Sequence, residues 1–388
     1  MKKNYKALLY SKFAHGTFDM IGAQGATLKA GQPSHHRSNK KRFSKPNLHK
    51  IGGMQKEVNL FVTSHINLNK KKTVILRTRT KDTISHLAND LNGLINLKKV
   101  NDVRWINKFF EEVNAHLADG ALFIGTVEVS EQRKARIHKK FPKGIATFLY
   151  VIDFIFRRVL PKISFTKRLY FILTDGRRRV MSKAEVLGRL VACGFDIVDL
   201  KNIDGALYFV AKKIKEPAFD LKPSYGPLFK MRRIGKNGKI IHVYKFRTMH
   251  PYSEYLQDYI IRTNGYQDIG KPADDFRITT WGRFLRKYWL DELPQLINVA
   301  KGEMKLVGIR PISNRFLNEF PDDIKALGLK QKPGCVPAYV SLLKQSVDGF
   351  IEAETIYLNE KVKHPYTTDI KYFSKAIYNI LSNKIRSA

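Results

Sequence analysis

Asp291 and Glu292 are the adjacent acids of this chain whose setting suits chemistry. They lie in Arg286-Lys287-Tyr288-Trp289-Leu290-Asp291-Glu292-Leu293-Pro294-Gln295-Leu296-Ile297-Asn298-Val299. Pro294 fits the first turn of a helix, and the residue before a proline is biased away from helix. The pair therefore sits at or just before a helix N-terminus, where partial positive charge favours a carboxylate and attracts phosphate. A carboxylate held ionised beside a phosphate site can attack phosphorus. Its neighbour can hold Mg²⁺, which neutralises phosphate charge against that nucleophile. The plain alternative is a helix cap and a dipole partner, and an isolated Asp-Glu pair would read that way.

Cations are the second requirement. No acid occurs between Asp220 and Glu254, an interval holding Lys222, Lys230, Arg232, Arg233, Lys236, Lys239, Lys245 and Arg247. Asn237-Gly238 between two apolar-basic runs signals a hairpin. Strand alternation puts Lys245 and Arg247 on one face, where they could clamp a diphosphate. A solvated basic ribbon is the competing reading.

The order of motifs decides between these readings. Gly226-Pro227-Leu228-Phe229, Arg233-Ile234-Gly235-Lys236-Asn237-Gly238, Tyr244-Lys245-Phe246-Arg247-Thr248-Met249, the Asp291-Glu292 segment, Lys301-Gly302-Glu303-Met304, Val307-Gly308-Ile309-Arg310-Pro311 and Lys332-Pro333-Gly334 follow in sequence. From about Ser224 to Tyr339 the chain resembles the bacterial sugar transferases, the monotopic phosphoglycosyltransferases. The resemblance implies transfer of a sugar-1-phosphate from a UDP-sugar to a polyprenyl (undecaprenyl) phosphate. UMP leaves, and a phosphosugar is held covalently on an aspartate. It implies Mg²⁺ as cofactor, Asp291 as nucleophile and Glu292 as metal partner. Lys245, Arg286, Arg310 and Pro311 fall on the family's substrate-contacting positions. The place of action it implies is the cytoplasmic face of the bacterial inner membrane, in exopolysaccharide or lipid-linked glycan synthesis.

The sequence departs from that pattern at Tyr288-Trp289 before the aspartate, at Ile309 before Arg310-Pro311, and at Cys335-Val336-Pro337-Ala338-Tyr339 after Pro333-Gly334. All three touch the pocket rather than the reacting groups. No apolar re-entrant helix leads directly into Ser224-Tyr225-Gly226-Pro227. The one apolar candidate, Thr147 to Phe156 ahead of Arg157-Arg158 and Pro161, reads as a buried helix or, alternatively, a shallow membrane anchor. A C-terminal stripe of Ile370, Phe373, Ile377, Ile380 and Leu381, flanked by Lys371, Lys375, Lys384 and Arg386, reads equally as core packing or as an interfacial helix.

The elements that must position these residues imply an α/β chain in two parts. Lys72–Arg77 reads as a strand. Trp105, Phe109, Val113 and Leu117 form the apolar stripe of a helix, and Ala121–Val127 reads as a buried strand. Ser182-Lys183-Ala184-Glu185 opens a helix with a capping box, Gly194 closes it, Phe195–Val198 follows as a strand, and Asp204-Gly205 turns into Ala206–Ala211. Leu117–Phe123 and Glu185–Leu190 resemble the C-terminal half of class I methyltransferases. The glycine-rich loop that binds the methyl donor there is missing, since Gly93 is the only glycine between Lys56 and Ala118. The expected organisation is a flexible basic arm (1–55), a methyltransferase-like α/β domain (56–215), a linker (216–223), and a mixed, mainly helical transferase domain with a basic hairpin and a C-terminal amphipathic helix (224–388).

Composition bounds what else this chain can be. Its 388 residues are 43% hydrophobic, which excludes wholesale disorder. Two cysteines exclude a disulfide scaffold and a cysteine-built zinc site. Cys335 reads as packing, and His242, His250 and His364 lack metal-ligand spacing. The start at Met1 shows no signal-peptide core, and no uncharged run approaches the length of a membrane span. Seventy Lys+Arg against 34 Asp+Glu give a net charge of +36, pointing to an anionic partner such as an anionic membrane surface. Nucleic acid is not expected, because no binding fold or interleaved stacking aromatics are legible. A catalytically silent scaffold or regulator of glycan assembly on the same fold is the reading that competes with an enzyme.

Overall fold

The computed structural model describes residues 54–69, 71–219, 226–265, 274–313, 317–318, 320–385 and 387. Nearly all of the basic arm and half of the linker lie outside them. The chain is mixed α/β. It divides into two compact units, residues 1–219 with 254–258, and 220–253 with 259–388.

The first unit is built on a five-stranded sheet in the order β1-β2-β3-β5-β4. Its strands are β1 (Thr73–Leu76), β2 (Leu91–Lys99), β3 (Leu117–Val127), β4 (Phe195–Ile203) and β5 (Ala206–Lys213). β1, β2 and β3 run parallel, while β5 is antiparallel to both β3 and β4. Asp204 and Gly205 take the positive φ values (47° and 68°) that a tight β4–β5 turn needs. Phe109, Phe110, Phe123, Phe195 and Phe209 are fully buried and pack edge-to-face, with Phe123 and Phe209 centroids 5.5 Å apart. Gly125 makes that contact possible, because a Cβ there would lie 2.4 Å from the Phe209 ring.

The helix Lys183–Ala192 is capped by Ser182, whose Oγ accepts from the Glu185 N–H at 3.2 Å. The Glu185 carboxylate does not complete the box. It pairs instead with Arg158, Arg189 and Lys162, because a fully buried carboxylate needs cations more than a second cap needs it. The Trp105 stripe is corrected at its first member. The helix spans Ile106–His116, Phe109 and Val113 are buried, and Trp105 is exposed beside Arg104. β2 went unmarked in the sequence reading, although Leu91, Leu94 and Ile95 bury at the centre of the sheet.

The reading of Thr147–Phe156 as a buried helix is overturned. The helix Lys143–Phe154 buries only Ala146, and Ile145, Phe148, Val151 and Ile152 are exposed. Its polar side is the fixed one. Asp153 accepts from Arg133 Nε at 2.6 Å and Nη2 at 2.7 Å, and from Arg157 Nε at 3.1 Å.

The second unit opens on the antiparallel hairpin β6 (Leu228–Ile234) and β7 (Ile240–Phe246). Asn237 and Gly238 sit at its tip with φ of 56° and 75°. β8 (Lys305–Gly308) pairs in parallel with β9 (Gly334–Pro337). That approach demands glycine on both sides, since a Cβ on Gly334 would lie 2.1 Å from the Gly308 nitrogen. Among the described residues, three apolar clusters carry the unit, one around Val307, Tyr357, Leu358 and Tyr372, one around Trp289, Tyr339, Val340 and Ala376, and one around Ile241, Val243, Met304 and Cys335. The C-terminal helix Thr367–Leu381 buries Tyr372, Ala376 and Ile380 and leaves Ile370, Phe373, Ile377 and Leu381 exposed. Four of the five stripe residues thus face outward, and the core-packing reading fails for them.

Candidate active site

Asp291 and Glu292 occupy the first turn of a 3₁₀ helix, Leu290–Gln295, that runs into the helix Leu296–Ala300. Trp289 caps it in a left-handed conformation (φ 58°). For a bulky residue that is costly and persists only where packing dictates it. Here the buried Trp289 ring packs on Tyr339, centroids 6.3 Å apart. Two positions that depart from the family pattern therefore meet in one cluster.

Asn298 fixes this turn against the hairpin. It is fully buried, donates from Nδ2 to the His242 carbonyl at 2.8 Å, and accepts from the Tyr244 N–H on Oδ1 at 3.1 Å. The next residue along β7, Lys245, then donates from Nζ to Glu292 Oε1. The other Glu292 oxygen accepts from Gln295 Nε2. Asp291 is buried. Its Oδ2 accepts from the Ser387 hydroxyl at 2.8 Å, and Oδ1 has no hydrogen-bond partner. Burial and the Glu292 charge push the Asp291 carboxyl above the ordinary range, while Lys245, Ser387 and Arg286 pull it back.

Arg286 reaches the site from the last turn of the helix Thr280–Lys287. Its Nε donates to Thr248 Oγ1 at 3.0 Å. The helix is seated by Thr279, whose N–H and hydroxyl both donate to the Thr248 carbonyl, and by Gly282, where a Cβ would lie 2.0 Å from that same oxygen. Burial lowers the affinity of Arg286 for its proton, and the nearby Asp291 charge restores part of it.

The clamp expected of Lys245 with Arg247 is not formed. The β6–β7 ladder ends at Phe246, and the Arg247 N–H goes to the Pro227 carbonyl at 2.7 Å. The Arg247 guanidinium then lies over Phe229 at 5.2 Å, and its Nε donates to the Gly226 carbonyl at 3.0 Å. Arg233 was not singled out, yet its charge is felt with those of Arg310 and Glu292. Ser387, Gln295, Asn298 and Thr248 were missed as well, because a supporting polar residue carries no pattern of its own.

Arg310 stacks its guanidinium over Tyr339 and Phe350, 5.2 Å from each centroid. Pro311 follows it half-buried. The Arg310 N–H donates to Glu354 Oε1 at 3.0 Å, while Glu354 Oε2 is buried with no partner. A cleft runs beside them, lined by Ile234, Ile309, Arg310, Ile324, Glu354 and Leu358. Burial raises the Glu354 carboxyl to about 8, opposed by the Arg310 N–H and charge. An acid raised on folding contributes stability below its unfolded value and loses it as pH rises toward the folded one, at up to about 1.4 kcal/mol per pH unit. Glu354→Gln keeps the acceptor for the Arg310 N–H. It is expected to raise the melting temperature by several degrees at pH 9 and leave it unchanged near pH 4. Equal effects at both pH values, by thermal melts, would refute a neutral Glu354.

Cys335 is buried, and desolvation pushes its thiol up to about 12, as befits a packing residue. Among the described residues, no group of three or more His, Cys, Asp and Glu side chains is arranged to hold a metal ion. Nor is any helix among them long and apolar enough to cross a membrane.

Residues 216–383 match the family model described as bacterial sugar transferase. An undecaprenyl-phosphate galactose phosphotransferase of Salmonella typhimurium is 44% identical over 116 residues, 28% of this chain and 24% of that protein. The exopolysaccharide production protein ExoY of Sinorhizobium fredii is 40% identical over 108 residues, 26% of this chain and 47% of that protein. The chain thus spans less than half the length of either relative. A 16S rRNA methyltransferase from Catenulisporales acidiphilia shares 14% identity, covering 34% of this chain and 56% of that one. Its TM-score of 0.19 carries no argument.

Proposed function

We propose, from the match of residues 216–383 to the bacterial sugar transferase family model, that the chain moves a sugar-1-phosphate from a UDP-sugar to a polyprenyl phosphate. One observation carries the proposal. Asp291 has one oxygen pinned by Ser387 and the other buried without a partner, beside the Lys245–Glu292 pair and Arg286. A carboxylate oxygen with no hydrogen-bond partner, in a cationic, water-poor site, suits attack on phosphorus.

In the first step Asp291 Oδ1 attacks the phosphorus that bears the sugar. The bond from that phosphorus to the bridging oxygen breaks, and UMP leaves with the electron pair. In the second step a phosphate oxygen of the lipid attacks the same phosphorus and the Asp291 carboxylate is released. Arg286 and Lys245 stabilise the charge that develops on the phosphoryl oxygens. Arg310, lying against the Tyr339 and Phe350 rings, presents its fork to the nucleotide phosphates.

The oxygen donors fit Mg²⁺. That ion keeps most of its water and takes one or two carboxylates plus substrate phosphates. Glu292 would hold it, with a lone pair left on each oxygen, and the ion would neutralise the diphosphate as charge shifts to UMP.

An exposed aromatic run suits a lipid acceptor. Trp281 stacks on Phe284, centroids 5.6 Å apart, and Phe284 meets Tyr288 at 5.2 Å. Leu293 and Leu296, on the turn that carries Asp291, are exposed too. These rings and the outward stripe of Thr367–Leu381 support work at a membrane surface, and the family resemblance adds the cytoplasmic face of a bacterial inner membrane. For residues 56–215 we keep the methyltransferase-like scaffold without a methyl-donor site. Tight binding of S-adenosylmethionine in equilibrium dialysis would sink that part.

The test is UMP release from a panel of UDP-sugars with undecaprenyl phosphate and Mg²⁺. One sugar should yield UMP, and EDTA should stop it. Silence across the panel from folded protein would favour the scaffold reading.

A further inference from the structure

We propose that the two-helix segment of residues 141–173 in the first unit is a docking surface for an anionic lipid bilayer, independent of the reaction proposed above. Its two helices are Lys143–Phe154 and Ser164–Thr174, joined through Pro161. Twelve large apolar side chains between Phe141 and Leu173 are exposed. On the first helix they recur as Ile145, Phe148 and Ile152. On the second they recur as Phe165, Leu169 and Ile172, with Phe165 92% and Ile172 70% exposed. Both spacings trace one helical face. A soluble surface does not gather so many apolar groups without a partner.

Charge identifies that partner. Residues 139–179 hold eleven Lys/Arg and two acids, Asp153 and Asp175. Both acids are already paired, Asp153 with Arg133 and Arg157, Asp175 with Arg104 and Arg177. The positive excess therefore rests on the exposed Lys140, Lys143, Lys167, Arg168 and Arg178. An apolar strip rimmed by cations matches acyl chains bordered by anionic headgroups. No helix among the described residues is long and apolar enough to cross a membrane, so this segment lies along the interface. The Asp153–Arg133 pair holds the polar side of the first helix to the helix Ser130–Lys140, which keeps the apolar side outward.

The test uses the full chain and extruded vesicles, either phosphatidylcholine alone or equal parts phosphatidylcholine and phosphatidylglycerol. Phe148→Trp adds a reporter on this segment, read as the difference from the wild type, whose Trp105, Trp281 and Trp289 supply the background. Its fluorescence should shift blue and be quenched by brominated acyl chains in the anionic vesicles only. Phe148→Asp/Phe165→Asp/Ile172→Asp should lower co-sedimentation about tenfold or more with an unchanged circular dichroism melt. Lys167→Glu/Arg168→Glu should weaken it several-fold, and added salt should do the same. Absence of quenching would overturn the proposal. So would a triple variant that sediments like the wild type, or one that only dissociates a dimer. None of these outcomes bears on UMP release, so the two readings fail separately.

Discussion

Asp291→Asn is expected to lower UMP release by at least about 10³-fold while the protein melts as high as the wild type or higher. The amide nearly matches the carboxylate in shape and still accepts from Ser387, so the packing around Trp289 and Tyr339 is untouched. What is lost is the anionic oxygen. The stability sign follows from the raised carboxyl. A raised acid costs stability as pH climbs through its folded value, and removing it relieves that cost at neutral and alkaline pH. Wild-type activity should likewise fail on acidification at a pH above the ordinary aspartate range, because only the ionised form attacks. A variant retaining a tenth of wild-type UMP release would remove Asp291 from the reaction.

Lys245→Met is expected to cost about 10²–10³-fold in UMP release, and Lys245→Arg to recover part of it. Two effects add. The cation that balances Glu292 disappears, and that pair is only slightly exposed, at 18% and 14%. Leaving a charge unpaired there costs about 1–3 kcal/mol, less than at a fully dry site. Lys245 also pulls the Asp291 carboxyl down, so its loss lets Asp291 rise further. The acid limb of the pH–rate profile must then move to higher pH, which a purely structural role would not produce. Lys245→Met/Glu292→Gln should regain stability without regaining activity. An unmoved acid limb in Lys245→Met would refute the coupling.

Much of this was legible in the chain because it rests on local rules. Asn237-Gly238 and Asp204-Gly205 announce tight turns, since few residues accept two successive positive φ values. Ser182 announces a helix start through its hydroxyl. The proline spacing placed Asp291 and Glu292 at or just before a helix N-terminus; they lie in the first turn of a short helix with Pro294 further inside it. Lys245 emerges from β7 toward the site because alternation along a strand is a covalent periodicity.

Other features were decided only when distant segments met. Arg247 shares the parity of Lys245, yet the ladder ends one residue before it and the chain turns, which sends the guanidinium onto Phe229. Ser387 comes from 96 residues downstream to bond Asp291, and Asn298 holds β7 from 54 residues away. Neither residue type signals that role alone. The apolar helices show the deeper reason. The stripe of Phe109 and Val113 goes inward and the stripe of Ile370 and Ile377 goes outward. Periodicity defines a face in both cases. Which way that face points depends on what the rest of the chain already covers. The helix Thr367–Leu381 has its opposite side occupied by Val340 and Ser341, and Lys143–Phe154 is tethered by its one acid. Sequence determined the chemistry and the local shapes. Tertiary structure decided which groups are brought together and which faces remain for a partner, because burial is a property of the whole packing and not of any one segment.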